Sequence, residues 1–488
     1  MSFRTGYSGR GHCTERLPPG AMSCTSPRET VTTGSLTVVS AISVTVSVAV
    51  DAYGAATLAD AVLTVNVVSR GLLSFAYGQA SIFGAASGPD GESGYVSGYI
   101  GVDLAGQGPL DLQATAQGDA AVMSGGLSFL SVTLALPQML GFTSSGQASD
   151  AAGSQGGAMS GNVATFAANI TAAGENSSAE LQADIFAVEG QMSSVVMSAQ
   201  AAVYQEIEFT TITGTRQADM ITTGAGDTLL YAGAGKDMIR AGIGDDWLFA
   251  EDGKDSVFAG EGDDAAFGGT GEDGLWGEGG DDWLFGGRGD DSLFGGSGED
   301  MVLGGAGSDS LDGGAGNDLF DGGIGRDILT GGAGNDVFRM GARGGDDDDI
   351  YRGGSGADLW LITDRFDDDV IQDFRIAEGD RLMGPGAGWD DPATMALRNG
   401  TMLSLGRSAC DRDDLEITFR FDGRTSVLTL DEFFVLNPGY GSAIPIRGML
   451  SDYQAEAIMR DVFGDDAGVY ADSQAYLLVI GNQISDLG

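Results

Sequence analysis

Histidine, cysteine and basic residues are scarce in this sequence of 488 residues. The single histidine, His12, cannot supply a zinc-peptidase site or a Ser-His-Asp triad, and neither H-E-x-x-H nor G-x-S-x-G occurs. The three cysteines, Cys13, Cys24 and Cys410, are too few for a disulfide-rich scaffold. We therefore expect free thiols and no catalytic centre built on histidine.

Basic residues number 24 against 70 acidic residues, which gives a formal net charge of −46. A chain without a basic surface is a poor partner for nucleic acid and for anionic membranes, and it attracts cations instead. No apolar run near the N-terminus is typical of a cleaved signal peptide, and no stretch is long enough for a membrane span. Export from the cell, if it occurs, would need another signal.

The first part of the chain predicts a β-rich domain after a short lead. Residues 1–30 are interpreted as a disordered lead, and either Met1 or Met22 could be the true start. Residues 31–210 alternate apolar and small polar residues, as in TVTTGSLTVVSAISVTVSVAV, with Gly, Ser and Asn between the alternating runs. This period of two predicts an all-β domain of sandwich or solenoid type.

The last part of the chain has three predicted segments. Residues 211–361 hold repeats, and residues 362–450 predict a β-rich cap with runs such as LEITFRF and TSVLTLDEFFVL. Residues 451–488 predict a helix over SDYQAEAIMRDVFG, capped by Ser451, and then a strand over AYLLVIGNQI.

The repeats form an unbroken array of thirteen nine-residue units from Thr223 to Arg339. Every unit has glycine at its fourth position and an apolar residue at its eighth. Twelve of the units have aspartate at the sixth position, and only Thr228 departs. After the insertion Met340–Arg343 the pattern resumes in GGDDDDIYR and GGSGADLWL.

The physical role of each position explains the composition of one nine-residue unit. Glycines let the backbone turn at positive φ, and the remaining residues form a strand too short to be stable alone. Stacked coils bury the apolar residues, but stacking also aligns the aspartates. Adjacent carboxylates repel by on the order of a few kcal/mol at an effective dielectric near 20. A hard divalent cation with oxygen ligands, such as calcium, removes that repulsion.

The array resembles the RTX nonapeptide G-G-x-G-x-D-x-U-x of hemolysin-type calcium-binding proteins. The resemblance covers Gly214 to Leu361 and implies a parallel β-roll in which two units make one coil and calcium lies between units n and n+2. It implies roughly ten Ca²⁺ ions. The aspartates implied as ligands are Asp219, Asp237, Asp246, Asp255, Asp264, Asp273, Asp282, Asp291, Asp300, Asp309, Asp318, Asp327, Asp336, Asp349 and Asp358.

The resemblance also implies an uncleaved C-terminal signal read by type I secretion machinery. Because cytosolic calcium is low, the repeats would fold only outside the cell. Turns near Glu251, Asp252 and Glu278 are expected to bind differently, the turn at Asp347 is expected to be irregular, and Thr228 should leave its site weak or absent.

Large aromatic residues recur at the seventh and ninth positions of the early units. If the eighth residue points inward, its neighbours point outward, and odd-numbered units share one face. That face would carry Trp247, Phe249, Phe267, Trp283 and Phe285 as an apolar patch. We hypothesise that the patch docks the β-rich domain or a partner such as a polysaccharide or protein; the alternative is that these aromatics only help the strands pack.

The function predicted from the sequence is that of a secreted, calcium-folded protein with a non-enzymatic role at a surface, in a matrix or in adhesion. The alternative is a polysaccharide-acting enzyme with a catalytic carboxylate pair in 31–210. Its candidate acids are Asp103, Asp111, Glu180 and Asp184, for which ordinary surface acids are the simpler interpretation. A membrane-damaging toxin is disfavoured because no amphipathic helix or apolar insertion segment is found.

Overall fold

The computed structural model describes residues 30–70, 73–87, 94–105, 122–134, 143–149, 162–173, 176–341, 348–362, 368–383, 389–391, 396–397, 402–407, 413–421, 424–438 and 462. Nearly all regular structure in them is strand, which confirms the all-β prediction. They fall into two compact units, one within residues 35–209 and the other mainly from residue 210 onward. The finer five-part division stays a prediction.

The N-terminal unit consists of long strands. They are β1 Thr32–Tyr53, β2 Ala56–Arg70, β3 Leu73–Ser87, β4 Tyr95–Ala105, β5 Val122–Leu134, β6 Thr143–Ser149, β7 Asn162–Ala173, β8 Ser178–Val188 and β9 Met192–Thr215. One sheet has the order β6-β5-β3-β2-β7, and β4-β1-β9 with β8 form a second group. Val44, Val46, Val48 and Val50 are almost fully buried, as their alternation predicts. They share one core with alternate residues of β2, so the two sheets pack as a sandwich.

The second unit is a parallel β-solenoid of about nine turns over residues 210–383, as the repeats predict. Its strands are β10 Met220–Thr222, β11 Thr228–Gly235, β12 Met238–Ile243, β13 Trp247–Phe249, β14 Asp252–Gly253, β15 Ser256–Glu261, β16 Ala265–Thr270, β17 Gly274–Gly279, β18 Trp283–Arg288, β19 Ser292–Ser297, β20 Met301–Ala306, β21 Ser310–Ala315, β22 Leu319–Ile324, β23 Ile328–Ala333, β24 Val337–Met340, β25 Ile350–Ser355, β26 Leu359–Ile362, β27 Val370–Ile371 and β28 Arg381–Met383.

Two parallel sheets face each other across the core of the solenoid. We call them sheet A, which contains the strands of odd-numbered units, and sheet C, which contains those of even-numbered units. Up to the insertion, each strand pairs with the strand eighteen residues later, as Leu284 does with Val302 and Leu275 with Leu293. Every eighth-position residue is fully or almost fully buried in one continuous core. Two nonapeptides therefore make one coil.

The predicted cap continues sheet C. It comprises β29 Trp389–Asp391, β30 Ala396–Leu397, β31 Met402–Arg407, β32 Leu415–Phe421, β33 Arg424–Leu430 and the helical turn α1 Phe433–Leu436. The run TSVLTLDEFFVL is thus a strand only to Leu430. Its two phenylalanines, Phe433 and Phe434, turn into the roll's core instead, where the Asn437 side chain donates to the Phe433 and Phe374 carbonyls.

The predicted helix from Ser451 and the strand over AYLLVIGNQI lie outside the described residues, apart from Val462. That residue is helical, fully buried and part of the roll's core.

Candidate metal centre

The aspartates of the array stand in two columns, one along each edge of the roll, each residue directly before a strand. The first column, which precedes sheet C, holds Asp219, Asp237, Asp255, Asp273, Asp291, Asp309, Asp327 and Asp349. The second column, which precedes sheet A, holds Asp246, Asp264, Asp282, Asp300, Asp318, Asp336 and Asp358. All of them are buried except the half-buried Asp219.

One carboxylate oxygen of each aspartate maintains the register of the coils. The backbone N–H of Asp273 donates to Oδ1 of Asp291 at 2.8 Å, and that of Asp282 to Oδ1 of Asp300 at 2.8 Å. The same bond repeats from Asp219 to Asp358. A backbone donor that would otherwise be orphaned in a turn is satisfied by the next coil.

The second carboxylate oxygen is left over in many of these residues. Buried Oδ2 atoms that accept no hydrogen bond in the described part of the chain belong to Asp237, Asp246, Asp255, Asp264, Asp273, Asp291, Asp309, Asp318, Asp327 and Asp336. A buried carboxylate with one empty oxygen and no counter-charge is costly in the ionised form. The repetition of this costly feature in coil after coil marks a site that requires a cation.

Burial accordingly raises the pKa of these carboxyls. The pKa reaches about 8 at Asp264, Asp327 and Asp336, where desolvation is the largest cause and neighbouring carboxylates add to it. It is about 7 at Asp246 and about 6 at Asp291 for the same first reason, although the backbone N–H bond lowers it. At neutral pH without a cation, Asp264, Asp327 and Asp336 are therefore mainly protonated.

From Gly268 onward, first-position glycines provide a cradle beside the column carboxylates. A Cβ built on Gly286 would lie 2.6 Å from Oδ2 of Asp291 and 2.6 Å from the carbonyl oxygen of Gly304. A carboxylate oxygen and a carbonyl oxygen from the next coil thus converge where a side chain would otherwise stand. The fourth-position glycine is required for a second reason: Gly289 has φ of 133°, and a Cβ there would overlap the Gly271 carbonyl.

This donor set fits a hard cation such as calcium, which prefers carboxylate and carbonyl oxygens. Within the described residues, no three acidic, histidine or cysteine side chains converge on one point. A cation between coils would therefore be held by the column aspartates together with backbone carbonyls of the glycine turns.

The columns extend beyond the array, which the sequence interpretation missed. Asp349 N–H donates to Oδ1 of Asp369 at 3.0 Å, and Asp358 N–H to Oδ1 of Asp380 at 3.1 Å. The signal was present, since each is followed two residues later by a fully buried apolar residue, Ile371 or Leu382. The 20- and 22-residue spacings concealed it.

At two ends of the columns Oδ2 accepts hydrogen bonds from the protein, and in Asp380 both carboxylate oxygens do. Oδ2 of Asp219 accepts from the N–H and hydroxyl of Thr215, and Oδ2 of Asp380 accepts from the Arg375 N–H. These contacts use the oxygen that is left over elsewhere. Asp219 thus caps the start of the first column, and Asp380 caps the end of the second column.

Residues that depart from the repeat consensus keep the backbone conformation of the repeat. Glu251 and Glu278 adopt φ of 72° and 74°, so they hold the left-handed conformation of the glycines they replace. Glu251 separates β13 from β14, which are one strand in other units. Thr228 keeps the ladder by donating its N–H to Asp246 at 2.7 Å but brings no carboxylate. Asp347 lies outside the described residues.

The five aromatic residues lie on the outer face of sheet A, as predicted, but they do not form an open patch. Phe267 stacks between Phe249 and Phe285, with ring centroids 4.6 and 4.7 Å apart. Trp247, Phe249, Phe267, Trp283 and Phe285 are only 2–6% exposed. Their burial is compatible with both interpretations, docking of a partner on this face and packing of the strands, so the docking hypothesis stays a prediction.

The candidate catalytic acids show no site. Asp103 lies on β4, and Glu180 and Asp184 lie on β8, all three exposed. Asp111 lies outside the described residues.

The second unit is therefore a parallel β-solenoid whose oxygen donors suit calcium, and comparison with known protein families supports this assignment. The model of the RTX calcium-binding nonapeptide repeat matches residues 210–239, 231–266, 240–275, 267–302, 276–311, 303–338 and 342–359. Residues 210–359 are therefore RTX calcium-binding nonapeptide repeats. No curated protein matches the chain.

Proposed function

We propose that the protein is secreted and binds multiple calcium ions, roughly ten, through the two aspartate columns. The observation that supports this best is the row of buried Oδ2 atoms without a hydrogen bond, several of which, such as those of Asp273, Asp291 and Asp309, converge with a glycine carbonyl of the next coil. The cation would supply the missing counter-charge, and the columns would become fully ionised. Low calcium in the cytosol would keep the repeats unfolded, and millimolar calcium outside would fold them.

Secretion is supported by the repeat family, whose members are typically exported. We propose type I secretion machinery as the export partner and a non-enzymatic role at a cell surface, in a matrix or in adhesion. The exposed acids of the N-terminal unit and the absence of histidine chemistry support a non-enzymatic role over a polysaccharide-acting one.

The test is release from producing cells. Cells washed with buffer containing calcium should retain the protein at their surface, and a wash with a chelator should release it, whereas magnesium at the same concentration should not restore retention. Protein found only inside intact cells would contradict the proposal. Turnover of acidic polysaccharides that Glu180→Gln or Asp184→Asn abolishes would favour the enzymatic alternative.

A further inference from the structure

The ninth position of successive even-numbered units forms a row of side chains along the outer face of sheet C. On adjacent strands from β12 to β21 this row contains Arg240, Phe258, Trp276, Phe294 and Asp312. The Arg240 guanidinium lies 4.2 Å from the centroid of the Phe258 ring. Trp276 stacks on Phe258 and on Phe294, with ring centroids 4.6 and 5.6 Å apart. A cation therefore occupies one end of an aromatic stack.

The other end of the stack is exposed and has no such cation. Phe294 is 36% exposed, and the next strand carries Asp312 instead of another aromatic residue. Asp312 is half-buried, and its carboxylate makes no hydrogen bond or ion pair with a described residue. Burial raises the pKa of Asp312, and no basic group in the described ranges offsets that rise. This carboxylate lacks a counter-charge, although solvent can reach it.

The equivalent aspartate on sheet A has its counter-ion within the chain. Asp321 is the ninth residue of the following unit, and its carboxylate accepts a hydrogen bond from the Arg339 guanidinium one coil later. Arg339 pairs in register with Asp321, as Thr330 pairs with Asp312. Sheet C therefore has threonine where sheet A supplies a guanidinium, and the place beside Asp312 is left for a cation from elsewhere.

We propose that Phe294 and Asp312 form a binding site for an arginine side chain of a separate partner polypeptide. The guanidinium would stack on the side of the Phe294 ring away from Trp276 and donate two N–H groups to the Asp312 carboxylate. It would thus repeat, in one place, the two arginine contacts seen within the roll. Both contacts favour guanidinium over ammonium, because only the planar group can stack on a ring and bind a carboxylate bidentately.

The charge of the chain favours a basic partner. With a formal net charge of −46, a second copy of the chain would be repelled, whereas a polypeptide that carries arginine is attracted. Small side chains at the seventh positions of the same strands, Ser292 and Ser310, leave room for a peptide backbone beside the stack. The site exists only on stacked coils, so it rests on the calcium-folded roll of the proposed function.

A ligand-observed NMR titration of the full chain in saturating calcium tests the site, because this method detects weak binding. The probe is the capped peptide Gly-Ser-Arg-Ser-Gly, compared with peptides in which lysine or citrulline replaces the arginine. The arginine peptide should bind more tightly than the lysine peptide. The citrulline peptide keeps the shape without the charge and should bind at least about tenfold more weakly. Equal affinities of the arginine and citrulline peptides would overturn the proposal.

Three variants locate the binding on the roll. Asp312→Asn should weaken binding of the arginine peptide about tenfold, and Phe294→Ser should weaken it about threefold. Asp290→Asn removes the same charge from an exposed turn and should leave the affinity unchanged, which separates the site from general attraction to an acidic chain. Equal effects of Asp312→Asn and Asp290→Asn would overturn the proposal.

A fourth variant fills the site from within. Thr330→Arg supplies the cation as Arg339 does on sheet A, and it should abolish peptide binding while circular dichroism shows that the roll still folds in calcium. Undiminished binding by Thr330→Arg would overturn the proposal. So would a dimer that Asp312→Asn converts to monomer, since the guanidinium would then belong to a second copy. A roll that ignores calcium but binds the arginine peptide through Asp312 would refute the proposed function and support this site.

Discussion

The two units of this protein are both built from β-strands, but they bury different kinds of side chain. The N-terminal unit buries alternate valines and alanines and turns its charged side chains outward. The roll buries an equally apolar core, but it also buries two columns of aspartate. Apolar burial needs no partner from solution, whereas a buried carboxylate does. The comparison leads us to expect that the N-terminal unit folds without a ligand and that the roll needs a cation.

Strand length follows the same division. Strand β1 has 22 residues and β9 has 24, whereas most strands of the roll have six. A six-residue strand gains little from its own neighbours unless the coils on both sides are in place. The roll should therefore fold and unfold as a stack.

Removing calcium should separate the two units most strongly. In excess chelator, the roll should lose its β signal in far-UV circular dichroism while the N-terminal unit keeps its own. Ligand-linked stabilisation amounts to about 2.7 kcal/mol per site at a hundredfold excess over Kd, and many sites add up. Limited proteolysis should then cut within 211–383 first, and calcium but not magnesium should reverse it. Equal loss of both units would break the comparison.

Changing pH should affect the stability of the roll in opposite directions with and without calcium. In the folded, metal-free roll the pKa of Asp264, Asp327 and Asp336 is raised to about 8, against about 3.9 in an unfolded chain. Between these values the folded state binds more protons, so stability falls as pH rises from about 4 to 8.

Without calcium, the roll should therefore retain more β signal in far-UV circular dichroism at pH 5 than at pH 8. In calcium the order should reverse, because protons compete with the cation. A roll whose metal-free stability increases from pH 5 to pH 8 would contradict this account of the columns.

Neutralising one column carboxylate should lower the free energy of unfolding of the roll and leave that of the N-terminal unit unchanged. Asp291→Asn keeps an oxygen for the Asp273 N–H but removes the buried charge, and we expect a loss of about 1–3 kcal/mol in saturating calcium. The matched control is Asp290→Asn, an exposed neighbour, which should change stability by less than about 0.5 kcal/mol. Equal effects of the two substitutions in urea titrations would place the cation elsewhere.

Relieving one strained turn should have the smallest effect and the opposite sign. Glu278 occupies φ of 74°, which costs a side-chain-bearing residue about 1 kcal/mol or more. Glu278→Gly should therefore raise the free energy of unfolding in calcium by about 1 kcal/mol. Glu261→Gly lies in a regular strand and should lower it by about 0.5–1 kcal/mol. The same sign for both would mean that the turn is not strained.

Much of this molecule could be read from its sequence because the repeats are strict. A nine-residue period with aspartate and glycine at fixed offsets specifies the coil, the inward residue and the two columns. The alternation around Val44 and Val46 likewise specified a buried strand face. The local sequence pattern was sufficient to predict the structure wherever the surroundings of each residue repeat.

The remaining features depend on contacts that are not periodic. Asp369 and Asp380 join the columns across altered spacings, so a search in strict register passes over them. Phe267 and Phe285 were placed on the correct face, but the repeat pattern does not predict that they are nearly fully buried there. The helical turn at Phe433 exists because Asn437 and the open end of the roll offer it partners.

The ladder from each N–H to the aspartate eighteen residues later gives the roll a fixed unit of length. Deleting eighteen residues from the array would shorten it by one coil, about 4.8 Å, and leave every remaining bond in register. Deleting nine would move all later strands to the opposite sheet and exchange the residues of the two outer faces. The roll can therefore be shortened in register only by whole coils of two repeats, because only then does every later strand stay in its own sheet.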